Sequence, residues 1–476
     1  MASETTFFAP QAWISGGTGS RSCGAWAYDV LLHVAPDGNW QSITPGAPAN
    51  VVGGATVLTG PVLPGTVNAH SHAFQRAIAG LTERSSAQQD NFWSWRDRMY
   101  HAALRITPLQ LEAIATQLYG ELLQGGYTQV CEFHYLHNHT DGRPYADPLE
   151  LSMALIRAAQ ATGMGLTLLP TLYMRSGFGV ARGKSALRDD QRRFASTPAS
   201  VLHICDAVNA LKLPRINAGV ALHSLRAVDA AAVAEVAQAT QQRGVPVHIH
   251  IAEQIQEVDD CITHHGKRPI EWLHEVLDRA AAPLGPLWNL VHATHTTAEE
   301  LKALKAADAS VVICPSTEAN LGDGVFDFPG WAGVGGNWSI GSDSHVSRRA
   351  SEELRLLEYS QRLSLRERNV AARFSGSGSS AEALFGGALR GASTAAGLSL
   401  SGIAVGNRAD LCVLDQDAAA LAGVPAGHML DAFVFSSPDA QFASVFVGGK
   451  PVPPVGFQRQ SAYSKAVQGL WKPEVP

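Results

Sequence analysis

Between about residue 64 and residue 404, short apolar, β-branched runs alternate with longer stretches in which Ala, Leu and Glu recur at helical period. Eight runs read as strands: 66–70, 128–134, 166–171, 216–223, 245–251, 289–292, 310–314 and 339–343. Segments 108–124, 148–161, 227–243, 269–278 and 298–307 read as helices between them. Strands that are apolar almost throughout, rather than alternating, belong to a parallel sheet covered on both faces by helices. Eight such units in roughly 340 residues predict a (β/α)8 barrel with insertions rather than an open sheet.

The flanks carry a different pattern. Short strand-like runs separated by Gly and Pro occupy 7–10, 28–34 and 55–58, and similar runs return at 410–415, 433–435 and 444–450. The expected organisation is a small discontinuous β-sandwich domain, 1–63 with 405–476, around a catalytic barrel domain at 64–404. One connection stands out. Segment 84–107 is long and aromatic, with Phe92, Trp93, Trp95 and Tyr100, and reads as a surface helix or as the wall of a pocket. The run 376–380 reads as a flexible Gly/Ser loop.

A chain that is 46% hydrophobic and 16% charged is a globular one, not a disordered one. Its formal charge of −6, without a dense Lys/Arg run, argues against a nucleic-acid partner or an anionic membrane surface. No run of about 18 apolar residues predicts a membrane span, and the first residues lack a secretory signal pattern. The six cysteines (Cys23, Cys131, Cys205, Cys261, Cys314 and Cys412) are scattered without a Cys-x-x-Cys pair, which suggests a reducing, cytoplasmic setting.

The candidate chemistry lies at the ends of the strands. His70 and His72 are two residues apart, so an extended strand aims both imidazoles the same way. In a chain with 18 histidines this alone is a weak signal. The fifth strand, however, ends in His250 with Glu253 three residues on, the sixth in His292 and the eighth in Asp343. The C-terminal rim of a barrel is where active sites form, and these are residue types that Zn²⁺ or Fe²⁺ takes as ligands. His70, His72, His250 and Asp343 are the expected metal ligands, with Glu253 as proton shuttle. His292 is either a further ligand or a hydrogen-bonding electrophile. No Lys ends the fourth strand to bridge two metals, so a single divalent ion is favoured, zinc before iron. His248 shares the face of His250 and stays open as a ligand, whereas His295 and His345 read as solvated or supporting groups. His264, His265 and His274 fall in helical surface sequence.

Together these residues resemble the amidohydrolase superfamily. The resemblance rests on the Pro64-to-His72 stretch, His250 with Glu253, His292, Asp343 and the closing stretch 402–411. It points to the mononuclear branch that hydrolyses C–N bonds in amidines and aminated rings. Within that branch, segments 72–76, 93–96, 132–137, 222–226 and 321–324 resemble the N-formimino-L-glutamate deiminases of histidine degradation. That resemblance implies substrate contacts at Gln75, Arg96, Tyr135, His223 and Arg226, catalytic roles for Glu253, His292 and Asp343, and a homodimer. A dicarboxylate substrate suits two arginines, since guanidinium binds carboxylate in bidentate fashion. Purine or thioadenosine deaminases, ring-opening or dechlorinating hydrolases and a non-catalytic scaffold are the competing expectations.

Overall fold

The computed structural model describes residues 5–15, 24–48, 53–84, 90–178, 186–436, 442–453 and 456–471, so Cys23 lies outside the described residues. Its centre is a closed parallel barrel of strands Thr66–Ser71, Tyr127–His134, Gly165–Leu172, Val220–Ser224, Val247–Ile251, Trp288–His292, Ser310–Ile313 and Asn337–Ile340. Closure comes where Ile340 of the eighth strand pairs with Asn68 of the first. The fourth strand is split. A short piece, Ile216–Ala218, and Val220–Ser224 both pair with the third strand. Gly219 between them passes so near the fifth strand's approach that a Cβ would stand 2.4 Å from the Pro246 carbonyl oxygen.

Every residue of the second, third, fifth and sixth strands is buried, as continuous apolar runs require when side chains fill the barrel on one face and meet helices on the other. Helix Pro108–Gln124 shows how the outer layer is encoded. Thr107 and Gln110 form a reciprocal capping box, Pro108 occupies the first turn, and Leu111, Ile114, Ala115, Leu118 and Leu122 make one buried stripe. Helix Ser380–Ala396 closes the floor. Its last carbonyls accept from Asn289, Cys131, His248, Thr167 and Asn217, which stand on five different barrel-strand segments.

Both termini build one further sheet. Its order is Lys450–Pro451, Phe442–Val447, Leu411–Leu414, Val62–Pro64, Thr5–Ile14, Ala25–Val34 and Trp40–Thr44, with Thr56–Val57 beside Thr5–Ile14. Val62–Pro64 thus lies between N-terminal and C-terminal strands and runs straight into the barrel. This sheet has its own core of Phe7, Leu32, Trp40, Val62, Ile403, Leu411 and Val413.

Two segments differ from the expectation. Residues 433–435 are the last turn of helix Met429–Phe435, because Leu430, Phe433 and Val434 recur at three and four residues and bury one face. A C-terminal helix, Phe457–Trp471, packs against Pro108–Gln124. Segment 84–107 contains helix Phe92–Ala103, started by Asn91, whose side chain accepts from the Trp93 and Ser94 amides. Among the described residues no helix is long and apolar enough to cross a membrane, and the five described cysteines are free and buried.

A stability test arises at the seventh strand. The following helix, Pro315–Leu321, is anchored by Glu353, which accepts from the Ser316 amide (2.9 Å) and hydroxyl (2.6 Å). Burial pushes the Glu353 carboxyl up to about 8, with the nearby charges of Glu318 and Glu352 adding to the shift. Its folded-state pKa lies above the ordinary 4.5, so the bound proton stabilises the fold fully below 4.5 and this contribution is lost as pH rises through 8. Glu353→Gln is therefore expected to gain stability relative to the parent between about pH 5 and pH 9, by on the order of 2 kcal/mol in denaturant unfolding. A difference that stays flat with pH would remove this account of Glu353.

Candidate active site

The first strand places His70 and His72 on one face, and the fifth brings His250 against them. His70 Nε2 stands 3.1 Å from His72 Nε2 and 2.9 Å from His250 Nε2. Asp343 Oδ1 stands 3.3 Å from His72 Nε2 and 3.6 Å from His70 Nε2. The tautomers follow from the partners behind the rings. His72 Nδ1 donates to the Phe133 carbonyl and His250 Nδ1 to the His223 carbonyl, each at 2.9 Å, so both Nε2 atoms carry lone pairs. Burial, with neighbouring imidazoles adding to it, holds His70 and His250 well below the usual histidine range. Burial likewise brings His72 down to about 3. Neutral rings with convergent lone pairs repel unless a cation sits between them. Ligands about 2.1 Å from a tetrahedral ion lie roughly 3.4 Å apart, close to the spacings found here. The donors group as His70 with His72 and Asp343, and as His70 with His250 and His292, each within 4.8 Å, and imidazole and carboxylate donors of this kind suit Zn²⁺ or Fe²⁺.

Around this group stands a ring of acidic residues. His292 Nε2 is 3.7 Å from Glu253 Oε1 and 3.7 Å from Asp343 Oδ2, and its Nδ1 donates to Glu318 Oε1 at 3.2 Å. Burial opposes charge on His292, but Glu253, Glu318 and Asp343 outweigh it and carry the ring up to about 10. Burial raises Asp343 to about 7, against the pull of His292. The backbone is bent back here. Ala252, His292, Ala293, Asp343 and His345 have φ between 46° and 68°, a left-handed region unfavourable to side chains, at the ends of the fifth, sixth and eighth strands.

Behind the face that carries these donors runs a buried polar network. Ser71 donates to Glu132 Oε2 (2.7 Å), and Glu132 also accepts from the Ala73 amide (2.6 Å) and the Tyr119 hydroxyl (3.2 Å). His345 bonds Ser71 at 3.3 Å and Ser342 at 2.9 Å, while Asn68 bonds Ser342. The network ties the first strand to the eighth. His345 is therefore a buried supporting group, and His295, bonded to the Asp323 carbonyl at 2.9 Å, stands behind the rim. His248 points to the floor, where Nε2 meets the Ala395 carbonyl at 2.9 Å. His264 and His265 sit at the end of one surface helix, and His265 stacks on Trp272 at 4.2 Å. His274 lies on the next helix, Pro269–Arg279.

A narrow cleft opens over the cluster, lined in part by Gln75, Tyr135, His223, Glu253 and helix Phe92–Ala103. Gln75 Nε2 donates to Tyr135 Oη at 3.0 Å, and its buried Oε1 has no partner among the described residues. His223 lies beside Tyr173, 4.4 Å between ring centres. Arg96 lies 4.5 Å from the centre of the Trp93 ring and Arg226 lies 5.4 Å from it. The carboxylate nearest Arg96 is the outward-facing Asp97, at 3.9 Å. Arg226 makes no ion pair within 4.0 Å among the described residues, though the charges of Glu257 and Glu253 act on it. Two guanidiniums share one indole on the cleft wall, where the nearby charges of Glu257 and Glu253 support that of Arg226 against burial, and such a wall suits anionic groups.

Glu318, Glu132 and Ser71 were not singled out from the sequence. Only position hints at Glu318, a carboxylate one turn beyond the end of the seventh strand; Glu132 faces the polar network from within an apolar strand.

A barrel that converges nitrogen and oxygen donors on one point at its C-terminal rim, beneath a substrate cleft, is the scaffold of a metal-dependent hydrolase. The chain belongs to the amidohydrolase family, whose model matches residues 62–452. It is 45% identical to a formimidoylglutamate deiminase of Pseudomonas aeruginosa over 89% of this chain and 91% of that protein. An 8-oxoguanine deaminase of the same organism is 26% identical over 75% of this chain and 74% of its own length. Among solved structures, an amidohydrolase from Brucella melitensis superposes with a TM-score of 0.88 at 39% identity, covering 98% of this chain and 100% of that one. A zinc-bound adenosine deaminase from Xanthomonas campestris shares the fold, with a TM-score of 0.74 at 21% identity over 98% and 97% of the two chains.

Proposed function

We propose that this chain hydrolyses N-formimino-L-glutamate to N-formyl-L-glutamate and ammonia, a step of histidine degradation carried out in the cytoplasm. The observation that carries the reading is the pair Arg96 and Arg226, two cations on Trp93 above the donor cluster. The similarity to the Pseudomonas aeruginosa deiminase supports it. His70, His72, His250 and Asp343 would hold one divalent ion, zinc by preference. When bound, that ion supplies the Lewis acidity that makes water nucleophilic near neutral pH.

The protein's own residues divide the remaining work. Arg96 and Arg226 each receive a carboxylate, which fixes the formimino carbon over the cluster. Gln75, Tyr135 and His223 line the path between those anchors and the reacting carbon. Glu253 takes a proton from water as the C–O bond forms and returns it to the nitrogen that leaves as ammonia. His292, held by Glu318 on one side, donates from Nε2 toward developing negative charge. Asp343 helps to orient the nucleophile. Water adds across the C=N bond, and collapse of the tetrahedral carbon yields a formyl group. The same reading assigns 64–404 as the catalytic domain, with 1–63 and 405–476 as the smaller one.

The test is ammonia release from N-formimino-L-glutamate, run beside adenosine, methylthioadenosine and 8-oxoguanine. Chelation is expected to abolish release and added Zn²⁺ to restore it, with about one ion per chain. Turnover of an aminated ring without turnover of the linear amidine would overturn the reading.

A further inference from the structure

The C-terminal helix Phe457–Trp471 stands outside the barrel, yet several of its polar groups end on the two segments that carry Gln75 and Arg96. Tyr463 Oη accepts from Arg76 Nη1 at 2.8 Å and donates to the Arg76 carbonyl at 3.3 Å. Trp471 Nε1 donates to the Ala77 carbonyl at 3.3 Å. The Leu470 carbonyl accepts from Arg105 Nη1 at 3.1 Å, just past the end of helix Phe92–Ala103. One helix therefore holds the base of both substrate-facing elements.

The grip on the first of these is the tighter. Gln75 lies in the 3-10 turn Ala73–Ala77, which is too short to define its own position. The carbonyls of Arg76 and Ala77, at the end of this turn, receive their side-chain donors from the C-terminal helix. Arg76 completes the anchor by donating from Nε and Nη2 to Glu121 at 2.8 and 3.0 Å. Glu121 also meets Arg348 Nε at 3.1 Å, and Arg348 Nη1 donates to the His345 carbonyl at 2.7 Å. The loops leaving the first and eighth strands thus converge on one carboxylate, and Tyr463 closes the assembly from outside.

We propose that Tyr463 is a positioning residue for substrate recognition, acting through Arg76 and the Ala73–Ala77 turn to hold the Gln75 amide in the cleft. This rests on the reading that Gln75 touches substrate. Tyr463 reaches neither substrate nor metal, so its loss acts on binding geometry and leaves the chemical step in place. The C-terminal helix becomes part of the specificity apparatus of a site formed almost 400 residues earlier in the chain, since Tyr463 follows Arg76 by 387 positions.

The test is the full-length Tyr463→Phe protein, which keeps the ring and removes the hydroxyl. The KM for N-formimino-L-glutamate is expected to rise about tenfold, through the loss of two hydrogen bonds, with kcat within a factor of about two and metal content unchanged. In a Gln75→Ala background the same substitution should add nothing further. An unchanged KM in the single variant, or a full additional loss in the double, would overturn the proposal; a lowered melting temperature alone counts as the former. If Tyr463→Phe does not fold, Trp471→Phe removes the donor to Ala77 and is read in the same cycle. A parent enzyme that ignores N-formimino-L-glutamate counts against the proposed function instead, and the cycle is then run on whichever test substrate it hydrolyses.

Discussion

Glu253→Gln is expected to lower kcat for N-formimino-L-glutamate by about three orders of magnitude, with metal content and KM near those of the parent. The substitution keeps the shape of the side chain and its place in the cleft while removing the only function that matters in this account, a reversible proton acceptor. Glu253 lines the cleft 3.7 Å from His292, and its backbone amide donates to Glu257 at 3.2 Å, so the segment keeps its anchor when the side chain changes. None of the inferred metal-holding atoms is altered, which separates a lost proton relay from a lost ion. Single-turnover kinetics and metal analysis on one preparation decide the matter. Activity within tenfold of the parent would remove Glu253 from the mechanism.

Arg226→Met and Arg96→Met are each expected to lower kcat/KM by about a hundredfold, and mainly through KM. Methionine keeps much of the apolar stem against Trp93, so the loss reports on the charge rather than on a collapsed cleft wall. Lysine should rescue poorly at either position. A point charge makes neither the paired hydrogen bonds to a carboxylate nor the flat contact with the indole that lies 4.5 Å from Arg96 and 5.4 Å from Arg226. Substrate analogues lacking one carboxylate assign the partners. Removing the carboxylate that an arginine binds should make its substitution nearly silent, while the other arginine keeps its full effect. Equal losses for adenosine or another uncharged ring would show that the arginines act on the architecture and not on a dicarboxylate.

The barrel was legible because its signal is local. Continuous apolar runs such as those at 128–134 and 289–292, each beside a stretch of helical period, carry the strand and helix assignment within a few residues of themselves. The donor residues could be read for the same reason, since His70, His72, His250, His292 and Asp343 stand at or just past strand ends and the barrel collects those ends on one rim. Segment 433–435 misled because three apolar residues in a row satisfy a buried strand and a helix equally. Only the burial of Leu430 with Phe433 and Val434 reveals the helical face.

The primary structure thus determined the fold class, the rim and the kinds of donor atoms on it, for these depend on continuous apolar runs and period-3.6 stretches. Tertiary structure decided which of the many histidines meet. His248 and His250 share a strand face, yet one bonds the floor helix and the other faces His70, a difference set by depth in the barrel. It also supplied Glu318 behind His292, Glu132 behind Ser71 and Tyr463 behind Arg76. Those pairings are 26, 61 and 387 residues apart, and hydrogen bonds across such separations leave no periodicity in the chain to read. They exist only once the packed helices have brought their elements to within about 3 Å.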